Sequence, residues 1–225
     1  MKNKILVFVM FGLTAVQTCV AATYSPIDLL LDKNVCADAA AATDKLLKFD
    51  PLPYDPRRAS ARAAVSKLCK TKGKENSLEI GGAMGDRSAI LHGISVADKV
   101  EIADKDLIRT LNEIVRVGDP TELYFLGIFA AGDYARELGN RISGAELLNS
   151  EAHVEWTKIA CDRGLDCSEN GVIAVLNCAV SACVDGDLRS LSRTQEADPS
   201  KAATLSTSIN GAVGQSNAEL FALRK

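Results

Sequence analysis

The chain predicts an all-α fold in which helical hairpins form a solenoid-like or irregular array stapled by disulfides. Alanine and leucine are abundant, only 5% of residues are aromatic, and no sustained period-two run of β-branched residues is bounded by turns, so strands have little support. Ser25-Pro26, Asp55-Pro56 and Asp198-Pro199 each set a capping side chain before a proline suited to the first helical position. Of seven cysteines, six remain once Cys19 is assigned to a cleaved leader, and an even number is what disulfides require.

The leader is read from Lys2 and Lys4, the apolar stretch from Ile5 to Val16, and the small residues Cys19-Val20-Ala21-Ala22, the layout of a secretory signal peptide over residues 1–22. Cleavage is expected after Ala21 or Ala22. The apolar run is shorter than the ~20 residues a membrane helix needs, and the mature chain is expected to be soluble, without a stable span. Lipidation at Cys19 is the rival reading, but Val16-Gln17-Thr18 is a poor small-residue box before it. The expected location is periplasmic or secreted.

About 200 residues then remain for a single helical domain over residues 23–225, enough for a core that needs no metal. The chain has 26 basic and 29 acidic side chains, with no basic run longer than Arg57-Arg58, which argues against nucleic acid or an anionic membrane surface as partner.

The first helix is expected from about Pro26 to Phe49, with Ile27, Leu30, Leu31, Val35, Ala39, Ala42, Leu46 and Leu47 on one stripe. Pro51-Leu52-Pro53-Tyr54-Asp55-Pro56 forms a stiff loop. A second helix from about Pro56 to Lys70 returns with Ala61, Ala64, Val65 and Leu68 towards the first, making an N-terminal αα-hairpin over residues 26–70. Cys36 and Cys69 lie on its two arms at comparable distances from the turn. Bridging them closes a loop of about 34 residues, a constraint of roughly 3 to 4 kcal/mol in the chain-entropy account.

From residue 75 to 196, short helical stretches alternate with Gly85-Asp86, Gly118-Asp119 and the looser Gly164-Leu165-Asp166. The glycine ends one helix in a left-handed turn and the aspartate caps the next. Cys161, Cys167, Cys178 and Cys183 have five, ten and four residues between them, unlike the paired spacing of common zinc sites. A turn brings Cys161 to Cys167, whereas Cys178 lies about 15 Å further along the next helix. The favoured pairs are therefore Cys161 with Cys167 and Cys178 with Cys183. Over residues 198–225, Ala202 to Asn217 reads as a loosely held helix or a tail, and Ala218 to Leu223 offers apolar residues to the domain or to a partner.

The Gly-Asp windows resemble Sel1-like and tetratricopeptide-type helical repeats. Gly118-Asp119-Pro120-Thr121-Glu122-Leu123-Tyr124-Phe125-Leu126-Gly127 follows the Sel1-like pattern with Glu122 in place of alanine, and Gly85-Asp86-Arg87-Ser88-Ala89 keeps the alanine. Trp156, Ala160, Cys161 and Gly164 match the other half of such a repeat. The likeness covers about half of the mature chain through motifs of low specificity. Trp156 to Cys183 also looks like the C-terminal segment of exported proteobacterial proteins of unassigned activity, which implies a compartment and no chemistry.

The resemblance implies an interaction module, because stacked repeats leave an extended surface. The leading expectation is a non-enzymatic binding or scaffold protein with another envelope or extracellular protein as partner. Tyr124, Phe129, His153 and Trp156 are the candidate binding residues, although Tyr124, Phe125 and Phe129 at helical spacing also suit a core. Glu151, His153 and Glu155 offer a carboxylate beside an imidazole, but alternate spacing splays them around a helix. His92 reads as a packed helix residue.

The main alternative is a hydrolase of envelope polymers with a carboxylate pair drawn from Glu101, Asp104 and Asp106, or from Glu75 and Glu79. A third is a metal-binding protein using the cysteines. No Gly-x-Ser-x-Gly elbow, phosphate loop or His-Glu-x-x-His is present, and Gly81-Gly82-Ala83-Met84-Gly85 follows no predicted strand. No catalytic residue, cofactor or metal ligand is therefore assigned.

Overall fold

The computed structural model describes residues 25–37, 40, 52, 54–96, 102–180, 183, 185–193 and 199–224. The expected leader lies outside them. Among the described residues the fold is mostly helical, and no helix is long and apolar enough to cross a membrane.

The prolines start helices as their spacing predicts. Ser25 caps α1 (Pro26–Leu30) and Asp55 caps α2 (Pro56–Thr71), each side chain accepting from a backbone N–H of the first turn. The expected single helix to Phe49 is not formed: α1 stops at Leu31 and helical backbone resumes over 33–37. Asp32 is the reason. It is 1% exposed, and its two carboxylate oxygens accept from the N–H groups of Asn34 (2.9 Å) and Leu78 (3.1 Å). A buried carboxylate needs such donors, and continuous helix would deny them. Residues 38, 39 and 41–50, the rest of that expected helix, lie outside the described part.

The Cys36–Cys69 disulfide joins the 33–37 segment to α2, with Cα atoms 5.7 Å apart. A Cβ at Gly73 would collide with the Cys36 side chain, so the turn after α2 needs glycine. Among the described elements α2 packs chiefly on a late helix, α9 (Val172–Val180), while most of the stretch of the expected first helix that would face α2 lies outside the described residues. Arg62 Nε donates to the Ala179 carbonyl (2.9 Å) across that contact.

The middle of the chain runs through α3 (Ser77–Ala83), α4 (Arg87–Val96), α5 (Asp104–Val117), α6 (Pro120–Ala130), α7 (Asp133–Gly139) and α8 (Ser150–Asp162). Gly85 and Gly118 hold the left-handed conformation at φ +80° and +68°. The following aspartates cap: Asp86 accepts from Ala89 N–H, and Asp119 from those of Thr121 and Glu122. At the looser corner Asp166 takes Ser168 N–H, and α9 begins only at Val172.

The core forms because α6 is apolar nearly all round and is covered on both sides, by α4 and by α8. Leu123, Phe125, Leu126 and Phe129 are buried there with Leu91, Leu111, Ile114 and Trp156. Disulfides Cys161–Cys167 and Cys178–Cys183 staple the end of α8 and the end of α9. With Cys36–Cys69, these are the pairs that hairpin geometry and spacing favour.

The C-terminal segment docks on the domain itself. Helix α10 (Pro199–Ala212) packs on α8, and Phe221 is buried. Strand β2 (Ala222–Leu223) pairs antiparallel with β1 (Ile142–Ser143), a short pairing the sequence does not signal. Asn112, also buried, brackets Phe221: its Nδ2 donates to the Phe221 carbonyl (2.8 Å) and its Oδ1 accepts from Phe221 N–H (3.1 Å). Replacing it by alanine leaves two buried backbone groups unpaired. Asn112→Ala is expected to lower stability by about 2 to 4 kcal/mol and to make the tail protease-sensitive. Thermal melts and limited proteolysis read both, and an unchanged melting temperature would refute the bracket's role.

Candidate functional site

Helices α6 and α8 cross closely at Gly127, where a Cβ would lie 3.1 Å from the Trp156 Cβ and 3.2 Å from the His153 carbonyl oxygen. The close crossing turns one helical face of each towards the N-terminal hairpin. Tyr124 and Ile128, four apart on α6, and His153 and Thr157, four apart on α8, line one side of a cavity of about 340 Å³. The hairpin supplies Leu30, Leu31, Val35, Val65 and Cys69, and α9 adds Leu176 and Asn177. None of these lining residues is Asp, Glu, Lys or Arg.

The polar groups are few and largely desolvated. Thr157 is 2% exposed, and its hydroxyl has no hydrogen-bond partner among the described residues. Burial pushes the Tyr124 phenol well up, so it stays protonated and able to donate. Burial also pulls His153 below the ordinary imidazole value, opposed by the backbone of Gly127, against which Nδ1 lies. The imidazole is therefore held towards its neutral form.

Of the candidate binding residues, Tyr124 and His153 meet at this cavity. Phe129 and Trp156 do not: both belong to the core, and the indole N–H of Trp156 donates to the Leu147 carbonyl (3.0 Å). Their apolar bulk is spent on packing, which corrects the expectation of a surface role. Glu155 is buried and paired with Lys158 (2.7 Å), so the Glu151, His153 and Glu155 group does not converge on one point. Thr157 and Ile128 were not singled out in the sequence. Helical spacing from His153 and Tyr124 was the available signal for both.

The other candidates have structural partners. Asp104 is bound by Arg141 (2.7 Å) and Asp106 by Arg109 (3.0 Å), Glu79 accepts from Asn76 (3.3 Å), and the Glu75 backbone carbonyl accepts from Lys33 N–H. Glu101 lies outside the described residues. Glu122 is pushed upward by burial and opposed by the Arg87 guanidinium, which binds both its oxygens. All six cysteines of the expected mature chain are in disulfides. Among the described residues no group of three or more His, Cys, Asp or Glu is placed to hold a metal.

His92 is buried against Phe125, with ring centroids 5.2 Å apart, and neither ring nitrogen has a partner among the described residues. Burial lowers its pKa from 6.5 to about 4, with Asp32 opposing. In the unfolded chain the imidazole takes up a proton as pH falls below about 6.5, whereas the folded protein resists until about pH 4. The folded protein should therefore lose stability across that window, by on the order of 3 kcal/mol from this group. His92→Leu is expected to flatten the decline, measured as denaturation midpoints from pH 7 to pH 4. A profile identical to wild type would refute the assignment.

No protein-family model matches the chain, and neither a curated protein nor a solved structure matches it, so the functional reading rests on the geometry of this cavity.

Proposed function

We propose that the chain is an exported, non-enzymatic binding protein of the bacterial envelope whose site is the cavity between the stapled hairpin and α6, α8 and α9. The observation that carries this reading is a cavity whose described lining is mainly apolar, with Tyr124, His153, Thr157 and Asn177 as its polar residues. Ligand pockets are concave and mostly apolar, with a small number of placed polar groups. A volume of about 340 Å³ falls within the range such pockets occupy.

Export draws support from the three disulfides, which are consistent with an oxidising environment outside the cytoplasm. The helical-repeat reading draws support from the glycine and aspartate corners at residues 85–86 and 118–119 and from the packing of α6 between α4 and α8. The hydrolase alternative has weaker support. Asp104 and Asp106 are each paired with an arginine, Glu122 is held by Arg87, and among the described residues no carboxylate lines the cavity.

Filling the cavity tests its role. N-phenyl-1-naphthylamine, an uncharged fluorescent probe, is expected to bind the oxidised wild-type protein saturably, and Ile128→Trp should weaken it at least about tenfold, or roughly 1.4 kcal/mol. Equal binding by the two proteins would remove the cavity from consideration. Export is tested by intact mass from the native envelope fraction: a chain starting at Ala22 or Thr23, with six thiols appearing only on reduction, is expected. A mass retaining Met1 with free thiols would overturn it.

A further inference from the structure

A second groove runs along the outside of the domain, between one face of α5 and the docked tail. It holds about 440 Å³ and shares no described lining residue with the cavity under the hairpin. Lys105, Arg109, Asn112 and Arg116 recur at helical spacing, so this face of α5 sets three cations around the asparagine that brackets Phe221. The tail lies antiparallel to it. Gly214 N–H donates to the Val115 carbonyl, Asn112 holds Phe221, and Arg224 N–H donates to the carbonyl of Arg141, whose side chain binds Asp104. Leu223 therefore sits towards the Lys105 end of the groove and Glu219 towards the Arg116 end.

Strand alternation turns one peptide unit of the tail to the α5 side. Along an extended chain, successive residues direct their N–H and C=O groups to opposite edges. Arg224 turns to the β1 side, whereas Phe221 turns to Asn112. Leu223 shares the parity of Phe221, so its N–H and C=O point away from β1. The residue is 50% exposed and lines the groove, and an edge in that state is a template for a further strand.

Charge selects what adds to it. Among the described residues the lining carries three cations against the single carboxylate of Glu219, on a chain whose formal net charge is -3. Arg116 is tied to Glu113. At the Leu223 end the balance is different: Lys105 makes no ion pair among the described residues, and Arg109 meets only Asp106, with the two side chains 73% and 51% exposed. A pair so open to water contributes little, so Arg109 is available to another carboxylate.

We propose that this groove docks an extended acidic segment of a partner protein, which pairs its main chain with Leu223 and sets alternate carboxylates against Lys105 and Arg109. Alternate residues of an extended chain are about 6.6 Å apart, and the turn of α5 from Lys105 to Arg109 rises about 6 Å, so two carboxylates on one strand face meet both cations. Main-chain bonds supply affinity in this mode and the side chains supply specificity. A nucleic acid or an anionic lipid would use the cations and leave the Leu223 peptide groups unmatched, which favours a peptide.

Fluorescein-labelled pentapeptides test this on the full, oxidised protein by anisotropy. Glu-Val-Glu-Val-Glu is expected to bind saturably, and Gln-Val-Gln-Val-Gln about tenfold more weakly. The acidic peptide N-methylated along its backbone keeps its charge, loses its main-chain donors and should also weaken about tenfold. Lys105→Glu and Arg109→Glu, both at exposed positions, should each cost about fivefold, while Arg136→Glu, at an exposed cation outside the groove, stays within about twofold. Lys105→Gln replaces the first variant should it fail to fold, and N-phenyl-1-naphthylamine binding should be unchanged in all of them. The proposal is overturned when the glutamine or N-methylated peptide matches the acidic one, when neither groove variant alters binding, or when no binding occurs up to about 1 mM. Tighter binding of phosphatidylglycerol vesicles or duplex DNA that Lys105→Glu abolishes would overturn it in favour of a membrane or a nucleic acid. Self-association lost in the same variant would overturn it in favour of a second copy of the chain.

Discussion

The close crossing of α6 and α8 is the contact on which the site depends. Gly127 has no side chain to hold the helices apart, and the Trp156 Cβ and the His153 backbone occupy the space a Cβ would need. That approach buries Phe125, Phe129 and Trp156 in one core. It also sets Tyr124, Ile128, His153 and Thr157 on a common side, where the hairpin covers them. A larger residue at 127 would separate the two helices and with them the polar wall of the cavity.

The opposite wall depends on a different constraint. Asp32 interrupts the first helix, and its carboxylate ties the restart of the chain to the start of α3 through two backbone N–H groups. The Cys36–Cys69 disulfide then fixes this broken segment to α2, which itself leans on α9. Leu30, Leu31, Val35 and Val65 are presented together because the break, the bridge and the α2–α9 contact act jointly. A straight helix from Pro26 would have carried Leu31 and Val35 along a single stripe without this enclosure.

Polar groups in the interior fall into two kinds. Those that hold the fold are satisfied: Asp32 by two N–H groups, Asn112 by both backbone groups of Phe221, and Glu155 by Lys158. Among the described residues Thr157, the Nδ1 of His153 and both ring nitrogens of His92 are not, and of these residues Thr157 and His153 line the cavity. His92 sits on Phe125 as packing, so its cost appears as acid sensitivity instead of binding.

By itself the sequence determined the helical class, the capped starts at Ser25 and Asp55, the left-handed corners at Gly85 and Gly118, and the three cysteine pairs. Each of these is a local matter: a proline's fixed φ, a side chain within reach of its own first turn, or two sulfurs brought together by one bend. Tyr124 and His153 were legible as candidates, since large or titratable groups stand out among alanines. Only the tertiary structure decided that α1 breaks at Asp32, that α2 meets α9 as well as the disulfide-linked 33–37 segment, and that the tail docks through Asn112 and β1. It also decided that Phe129 and Trp156 are core while Ile128 and Thr157 face a cavity. Those outcomes depend on donors and surfaces supplied by segments tens of residues away, and periodicity carries no record of which distant face a helix will meet.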